Sequence, residues 1–295
     1  MVALAGRAVV DERGRSMEDL RSASTHFRFG ENWKSFLSTV TPEILREAER
    51  GLARLFPGDE LRGRRFLDIG CGSGLSMIAA YRLGAAAVDG IDIDPESVEA
   101  SCALLRRYVP NGVCSARVAS VFDLGPDDGK GYDVVYSWGA LHHSGDMWAA
   151  IERAASMVMP GGRLAVALYR RTPLCGFWKR EKRFYSASPP PVQAAIRAAY
   201  YGAFWAGLLA TGRNPLRYVA GYRSARGMDW RHDVHDWLGG YPYESVDPGA
   251  VISCLEHLGF SPERVFEHPA AARGLFSSHC DEFVAVRRAA PSTSR

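Results

Sequence analysis

Residues 66–74 read Phe66-Leu67-Asp68-Ile69-Gly70-Cys71-Gly72-Ser73-Gly74. An apolar run reaches a carboxylate and then a loop with glycine at every second position. Leu75-Ser76-Met77-Ile78-Ala79-Ala80 follows as the opening of a helix. The stretch therefore predicts a buried strand, a sharp turn and a helix in direct succession. Glycine lets the backbone turn tightly and approach a ligand with no Cβ in the way. The amides of the helix N-terminus point toward the same place.

A first βα turn of this kind holds a nucleoside cofactor in a Rossmann-like, doubly wound, mostly parallel sheet, so the predicted fold class is α/β. Glycine spacing discriminates among cofactors. A dinucleotide fingerprint wants glycine first, third and sixth, but here the third glycine, Gly74, falls fifth and Leu75 takes the sixth place. Asp68 points the same way, because a carboxylate at the strand end repels a pyrophosphate and attracts the ammonium and sulfonium of S-adenosylmethionine. A second acid lies in the next predicted strand, Ala85-Ala86-Ala87-Val88-Asp89-Gly90-Ile91-Asp92-Ile93. Asp92 stands 22 residues after Gly70, where an acid accepts both ribose hydroxyls. Asp94-Pro95-Glu96-Ser97 then begins a helix with an aspartate cap and a first-turn proline.

Over residues 60–170 the chain resembles the class I S-adenosylmethionine-dependent methyltransferases. The resemblance implies a cofactor-binding set of Asp68, Gly70, Cys71, Gly72, Gly74, Asp92 and Ile93. It adds Ser120 and Val121 beside the adenine, after the strand Ala116-Arg117-Val118-Ala119, and Ser137 at the end of the fourth strand, Tyr132-Asp133-Val134-Val135-Tyr136-Ser137. Asp123 is read as a turn residue. The proline-glycine-glycine turn at Met159-Pro160-Gly161-Gly162, ahead of the apolar fifth strand, is also common in the family.

The chain is 295 residues long with a formal net charge of +3 and its charges interspersed, so no broad electrostatic footprint for nucleic acid exists. The loop after strand four lacks an Asn-Pro-Pro-aromatic run and a Pro-Cys pair, which weakens the two commonest nucleic-acid readings. Six cysteines (71, 102, 114, 175, 254, 280) form no C-x-x-C pair, and the first ten residues lack a secretory pattern; reduced thiols and a cytoplasmic location are expected. No pattern sets an oligomeric state. The expected organisation is an N-terminal segment over 1–56, a cofactor-binding domain over 57–170 and 247–288, an inserted helical cap over 171–246, and a frayed tail over 289–295. The insertion is too long for a structureless loop in a compact domain.

Within the N-terminal segment, Phe27-Arg28-Phe29-Gly30-Glu31-Asn32-Trp33-Lys34-Ser35-Phe36 precedes a helix from Pro42 to Leu55. By resemblance it folds over the cofactor as a lid carrying Trp33; the alternative is an aromatic staple for that helix. After strand four come Trp138-Gly139-Ala140-Leu141-His142-His143-Ser144-Gly145-Asp146. Methyl transfer from a sulfonium needs orientation above all, plus a base where the nucleophile keeps its proton. His143, with His142 as the other choice, is the expected base, unless both histidines only pack the loop.

The cap is aromatic and basic, which predicts a deep apolar pocket with a few polar anchors for a small-molecule acceptor. Tyr169, Arg226, Asp229, His232, Asp236 and Tyr241 are the candidate substrate-binding residues. His232, Asp233, His235 and Asp236 could be read as metal ligands, with the two histidines at i,i+3 on one helix, but a hydrogen-bonded network is preferred and no metal is expected. The nearly all-apolar helix over 191–210 reads as buried or interfacial, with membrane-surface contact as the alternative. The expected activity is O-methylation. N- or C-methylation of a secondary metabolite or lipid-linked acceptor, a non-catalytic cofactor-binding protein, and a nicotinamide oxidoreductase are the rivals.

Overall fold

The computed structural model describes residues 20–110, 112–125, 131–226, 229–268 and 278–289. Seven strands form one sheet: β1 (Arg65–Ile69), β2 (Ala87–Asp92), β3 (Cys114–Val118), β4 (Tyr132–Trp138), β5 (Val158–Tyr169), β6 (Phe260–Phe266) and β7 (Cys280–Arg287). Their order is β3-β2-β1-β4-β5-β7-β6. All pairs are parallel except β5 with β7 and β6 with β7. This is the Rossmann-like α/β sheet that the glycine loop predicts. Strand order reverses between β1 and β4, and the crevice beyond their carboxyl ends is where such sheets bind ligands.

The strands read as apolar runs because helices cover both faces. Phe66 and Val134 point into one core with Leu52, Met77, Ile78 and Leu104. Leu67 and Val135 alternate into the other with Ile151, Leu164, Leu255 and Phe283. The helices begin at legible signals. Thr41 accepts from the Ile44 amide ahead of α2 (Pro42–Leu55), which follows α1 (Phe29–Leu37). Gly74, at φ +82°, caps α3 (Leu75–Arg82), and Asp94 accepts from Glu96 at the start of α4 (Pro95–Tyr108). Asp146 caps α5 (Met147–Ser156).

One local expectation changes. Met159-Pro160-Gly161-Gly162 lies inside β5 rather than ahead of it: Tyr132 pairs with Val158, and Val134 already pairs with Arg163. The turn-forming residues make a bulge, with Gly161 at φ +77°, and the ladder continues on either side.

The insertion forms four helices, α6 (Cys175–Ser186), α7 (Pro190–Ala210), α8 (Pro215–Arg226) and α9 (Trp230–Gly239). They share an aromatic core built on Trp178, Tyr185, Tyr222, Trp230, Trp237 and Tyr243. Both ends are fixed at one place: the Arg171 amide donates to the Val246 carbonyl and the Val246 amide to the Tyr169 carbonyl, each at 2.9 Å. The chain then re-enters the sheet layer through α10 (Pro248–His257). Residues 1–19 of the N-terminal segment and 290–295 of the expected tail lie outside the described residues.

Candidate active site

A cavity of about 1190 Å³ runs from the glycine loop, under α1, to the inner wall of the cap. At one end the loop wraps back on β2: the amides of Gly70 and Cys71 donate to the Ile91 carbonyl at 2.8 and 3.0 Å. Gly70, Gly72 and Gly74 all adopt positive φ, the region that glycine enters without Cβ strain. Gly72 has a second reason to be glycine, since a Cβ there would lie 3.1 Å from the Trp33 indole.

Asp68, next to last in β1, and Asp92, last in β2, line this part of the cavity. Asp68 is only 2% exposed, and burial, then the charge of Asp92, raises its carboxyl to about 8. Burial also lifts Asp92, to about 6. Two amides oppose that rise by donating to its oxygens, Gly72 at 3.0 Å and Asp94 at 2.9 Å. Among the described residues no protein cation pairs with either acid. Two neighbouring buried carboxylates without a counter-ion are costly. A cationic ligand relieves that cost.

Trp33 lies over the loop because α1 is pinned to α4. The Gly30 amide donates to Asp94 at 2.8 Å, and Lys34 bridges Glu99 at 2.7 Å. The Phe27 amide donates to the Tyr241 carbonyl at 2.9 Å, which ties the segment to the cap as well. α1 therefore sits as a closed cover over the loop.

At the cap end of the cavity, His143 and Tyr169 face Phe29 and the cap residues Tyr200, Phe204, Tyr218, Tyr222, Trp230, Asp233, Asp236 and Trp237. The His143 Nδ1 lies 2.6 Å from the Pro242 carbonyl. A carbonyl only accepts, so Nδ1 carries the proton and Nε2 is the basic nitrogen. Burial lowers its pKa to about 3, which keeps the ring neutral. The phenol of Tyr222 donates to Asp233. Lys182 is fully buried behind this wall, its Nζ 3.6 Å from the Trp237 ring centroid, and burial lowers it to about 7.

The cavity brings together Trp33, Asp68, Gly70, Cys71, Gly72, Asp92, Ile93, Ser120, Val121, His143, Tyr169 and Asp236 from the expected site. Others lie elsewhere. His142 is fully buried off the cavity, its ring 3.9 Å from that of Tyr169, so it cannot reach an acceptor. Ser137 donates to the Ile69 carbonyl at 2.8 Å and ties β4 to β1. Gly74 lies behind the loop against Ser101, outside the cavity lining. Asp229 caps α9 by accepting from Arg231 at 2.9 Å, with His232 beside it at 3.4 Å. Tyr241 is buried outside the cavity lining, and the Arg226 side chain lies outside the described residues. Of the cap's aromatic residues, Phe177 and Phe184 point away from the cavity and are 57% and 62% exposed. Among the described residues no cluster of three or more metal-ligating side chains forms. Sequence reasoning missed the wall that α2 supplies through Ile44, Ala48, Gly51 and Leu52; Gly51 within an amphipathic helix was the available signal.

Residues 67–164, from β1 to the bulged part of β5, match the family described as "Methyltransferase domain". Residues 67–164 are a methyltransferase domain. Within it the glycine loop, both acids and His143 fall inside the matched stretch. The ubiquinone biosynthesis O-methyltransferase of Xanthomonas euvesicatoria pv. vesicatoria (strain 85-10) is 40% identical over 114 residues, 39% of this chain and 46% of that protein. The chain thus spans about half the length of such curated relatives. Two solved structures share the fold. The magnesium protoporphyrin IX methyltransferase of Synechocystis PCC 6803 with bound S-adenosylmethionine aligns at TM-score 0.51 and 16% identity, over 96% of this chain and all of that one. An O-methyltransferase family protein from Burkholderia thailandensis aligns at 0.52 and 13%, over 87% and 60%.

Proposed function

We propose that the chain transfers the methyl group of S-adenosylmethionine to a hydroxyl of a small-molecule acceptor enclosed by the cap. The observation that carries this reading is the pair Asp68 and Asp92, buried in one cavity beside a glycine loop and paired with no cation among the described residues. The residues fit the donor: the carboxylates attract its two positive groups, and Asp92 keeps lone pairs for the ribose hydroxyls. Ser120 and Val121 form the wall for the base. Bound there, the donor supplies an activated methyl group, so the chain's own work is orientation and proton removal.

His143 is the group placed for proton removal. With Nδ1–H committed to Pro242, Nε2 takes the proton that leaves the acceptor hydroxyl. Tyr169, Trp237 and Asp236 orient the acceptor, and the aromatic wall excludes water. The O-methyltransferase names of the Xanthomonas relatives support oxygen as the nucleophile. Asp233 and Asp236 on the acceptor side favour a second reading, an amine acceptor and N-methylation.

Calorimetric titration with S-adenosylmethionine, its demethylated product and NAD is the direct test. Binding of the first two without NAD is expected, and NAD binding alone overturns the proposal. A turnover screen of phenols against amines then separates the two acceptor readings.

A further inference from the structure

The helices that line the acceptor cavity have a second side. Tyr200 and Phe204 on α7, and Tyr218 and Tyr222 on α8, face the cavity. The opposite face of α7 carries Val192, Ala195, Ala199 and Ala206, all exposed, and no charge interrupts it, because Arg197 turns inward to donate to the Tyr185 hydroxyl at 2.6 Å. At the turn between the helices Leu209 is 65% and Leu216 is 69% exposed. The turn is held in shape: the amides of Leu216 and Arg217 donate to the Asn214 side chain at 2.9 and 3.1 Å. Arg213 and Arg217 stand exposed beside the two leucines.

Charge is segregated to the same region. Residues 171–226 contain ten lysines and arginines and one glutamate, a net +9, against +3 for the whole chain, so everything outside carries −6. From Ala187 to Arg226 there is no acidic residue at all. An apolar helix face ending in protruding leucines rimmed by arginine is the composition of an element that lies in a bilayer interface and prefers anionic lipid. No helix among the described residues is long and apolar enough to cross a membrane, which fits lying on the surface rather than spanning it.

We infer that the α7–α8 hairpin docks this protein on anionic lipid bilayers, with Leu209 and Leu216 inserted and Arg213 and Arg217 at the headgroups. Two other occupants fit less well. A second copy meeting this face about a two-fold axis would set each basic rim against its twin. A nucleic acid would find leucine and alanine where phosphate contacts need donors. The inference stands apart from methyl transfer. It also gives the cap a direction, since the helices resting on lipid are those whose inner faces form the acceptor wall.

Vesicle flotation of the full chain tests it, with phosphatidylcholine vesicles and with phosphatidylcholine–phosphatidylglycerol vesicles. Recovery with the anionic vesicles and not with the neutral ones is expected, weakening as salt rises. Leu209→Ser with Leu216→Ser, and separately Arg217→Glu, lower binding at least about tenfold while leaving affinity for S-adenosylhomocysteine unchanged. Arg213 is left intact because its guanidinium lies 5.4 Å from the Tyr218 ring centroid. No recovery with anionic vesicles overturns the inference, as does binding that the double serine variant retains. Self-association that conceals this face without vesicle binding, or capture of an oligonucleotide that the leucine changes leave untouched, overturns it equally.

Discussion

If Asp68 holds the donor's cationic end, donor affinity must depend on pH in a way set by the buried pair. In the free protein its carboxyl titrates at about 8, so at neutral pH it is mostly protonated. Binding a cation there releases that proton. The apparent affinity is therefore weakened by one plus ten raised to the difference between pKa and pH, about elevenfold at pH 7 and about a hundredfold at pH 6. Asp68 alone then predicts about a ninefold gain between pH 6 and 7. Asp92, at about 6, brings the total to roughly seventeenfold. The ligand's own amine stays largely charged over this range. Calorimetry at both pH values, in two buffers of different ionisation enthalpy, measures the affinity and counts the proton. Asp68→Asn should weaken binding at pH 7 and leave only the shallow Asp92 dependence. An affinity flat within twofold from pH 6 to 7, with no proton release, refutes the reasoning. The same shift bears on folding: the native state binds this proton where the unfolded chain has lost it, so stability without ligand falls as pH rises from about 4 to about 8.

Gly72→Ala forces a Cβ into positive φ and against the Trp33 indole; we expect about a tenfold loss of donor affinity and a shift in tryptophan emission as α1 lifts. His143→Ala should lower kcat by about 10²–10⁴ with donor affinity intact, and the wild-type pH–rate profile should show no histidine limb near ~6.5, because burial holds the ring neutral down to about 3. Lys182→Met removes a buried ammonium with no hydrogen-bond partner among the described residues and should raise stability by about 1–4 kcal/mol in thermal melts at pH 7. Since the lysine titrates at about 7 when folded and 10.5 ordinarily, the native state lacks a proton that the unfolded chain binds, and the gain should shrink as pH climbs toward 10.

The sheet was legible because its signals are local. Buried parallel strands read as short apolar runs, and Thr41-Pro42, Asp94-Pro95 and Asp247-Pro248 mark helix starts with residues that satisfy or omit free amides. The glycine loop and its two acids were legible for the same reason. The acceptor side was not, because its residues meet only through tertiary packing. His142 and His143 are adjacent in the short 3₁₀ turn Leu141–His143, and only the approach of the Tyr169 ring and the Pro242 carbonyl sends one inward and leaves the other facing the cavity. Asp229 and His232 share a sequence cluster with Asp236, yet the helix start at Trp230 claims Asp229 as its cap. Phe177 and Phe184 look like pocket residues by type, but they lie on the face of α6 opposite Trp178, Lys182 and Tyr185.

Because the cap departs and returns through a single pair of hydrogen bonds between residues 169–171 and Val246, it behaves as an exchangeable tool head on a fixed handle. A different enclosure could replace residues 171–246 without altering a rung of the sheet, provided it again supplied the carbonyls that Pro242 presents to His143 and Tyr241 to the Phe27 amide. Diversification by cassette exchange then needs a segment with those two carbonyls and with ends one peptide-to-peptide bond apart, and chimeras joined at Arg170 and Val246 are where it can be tried first.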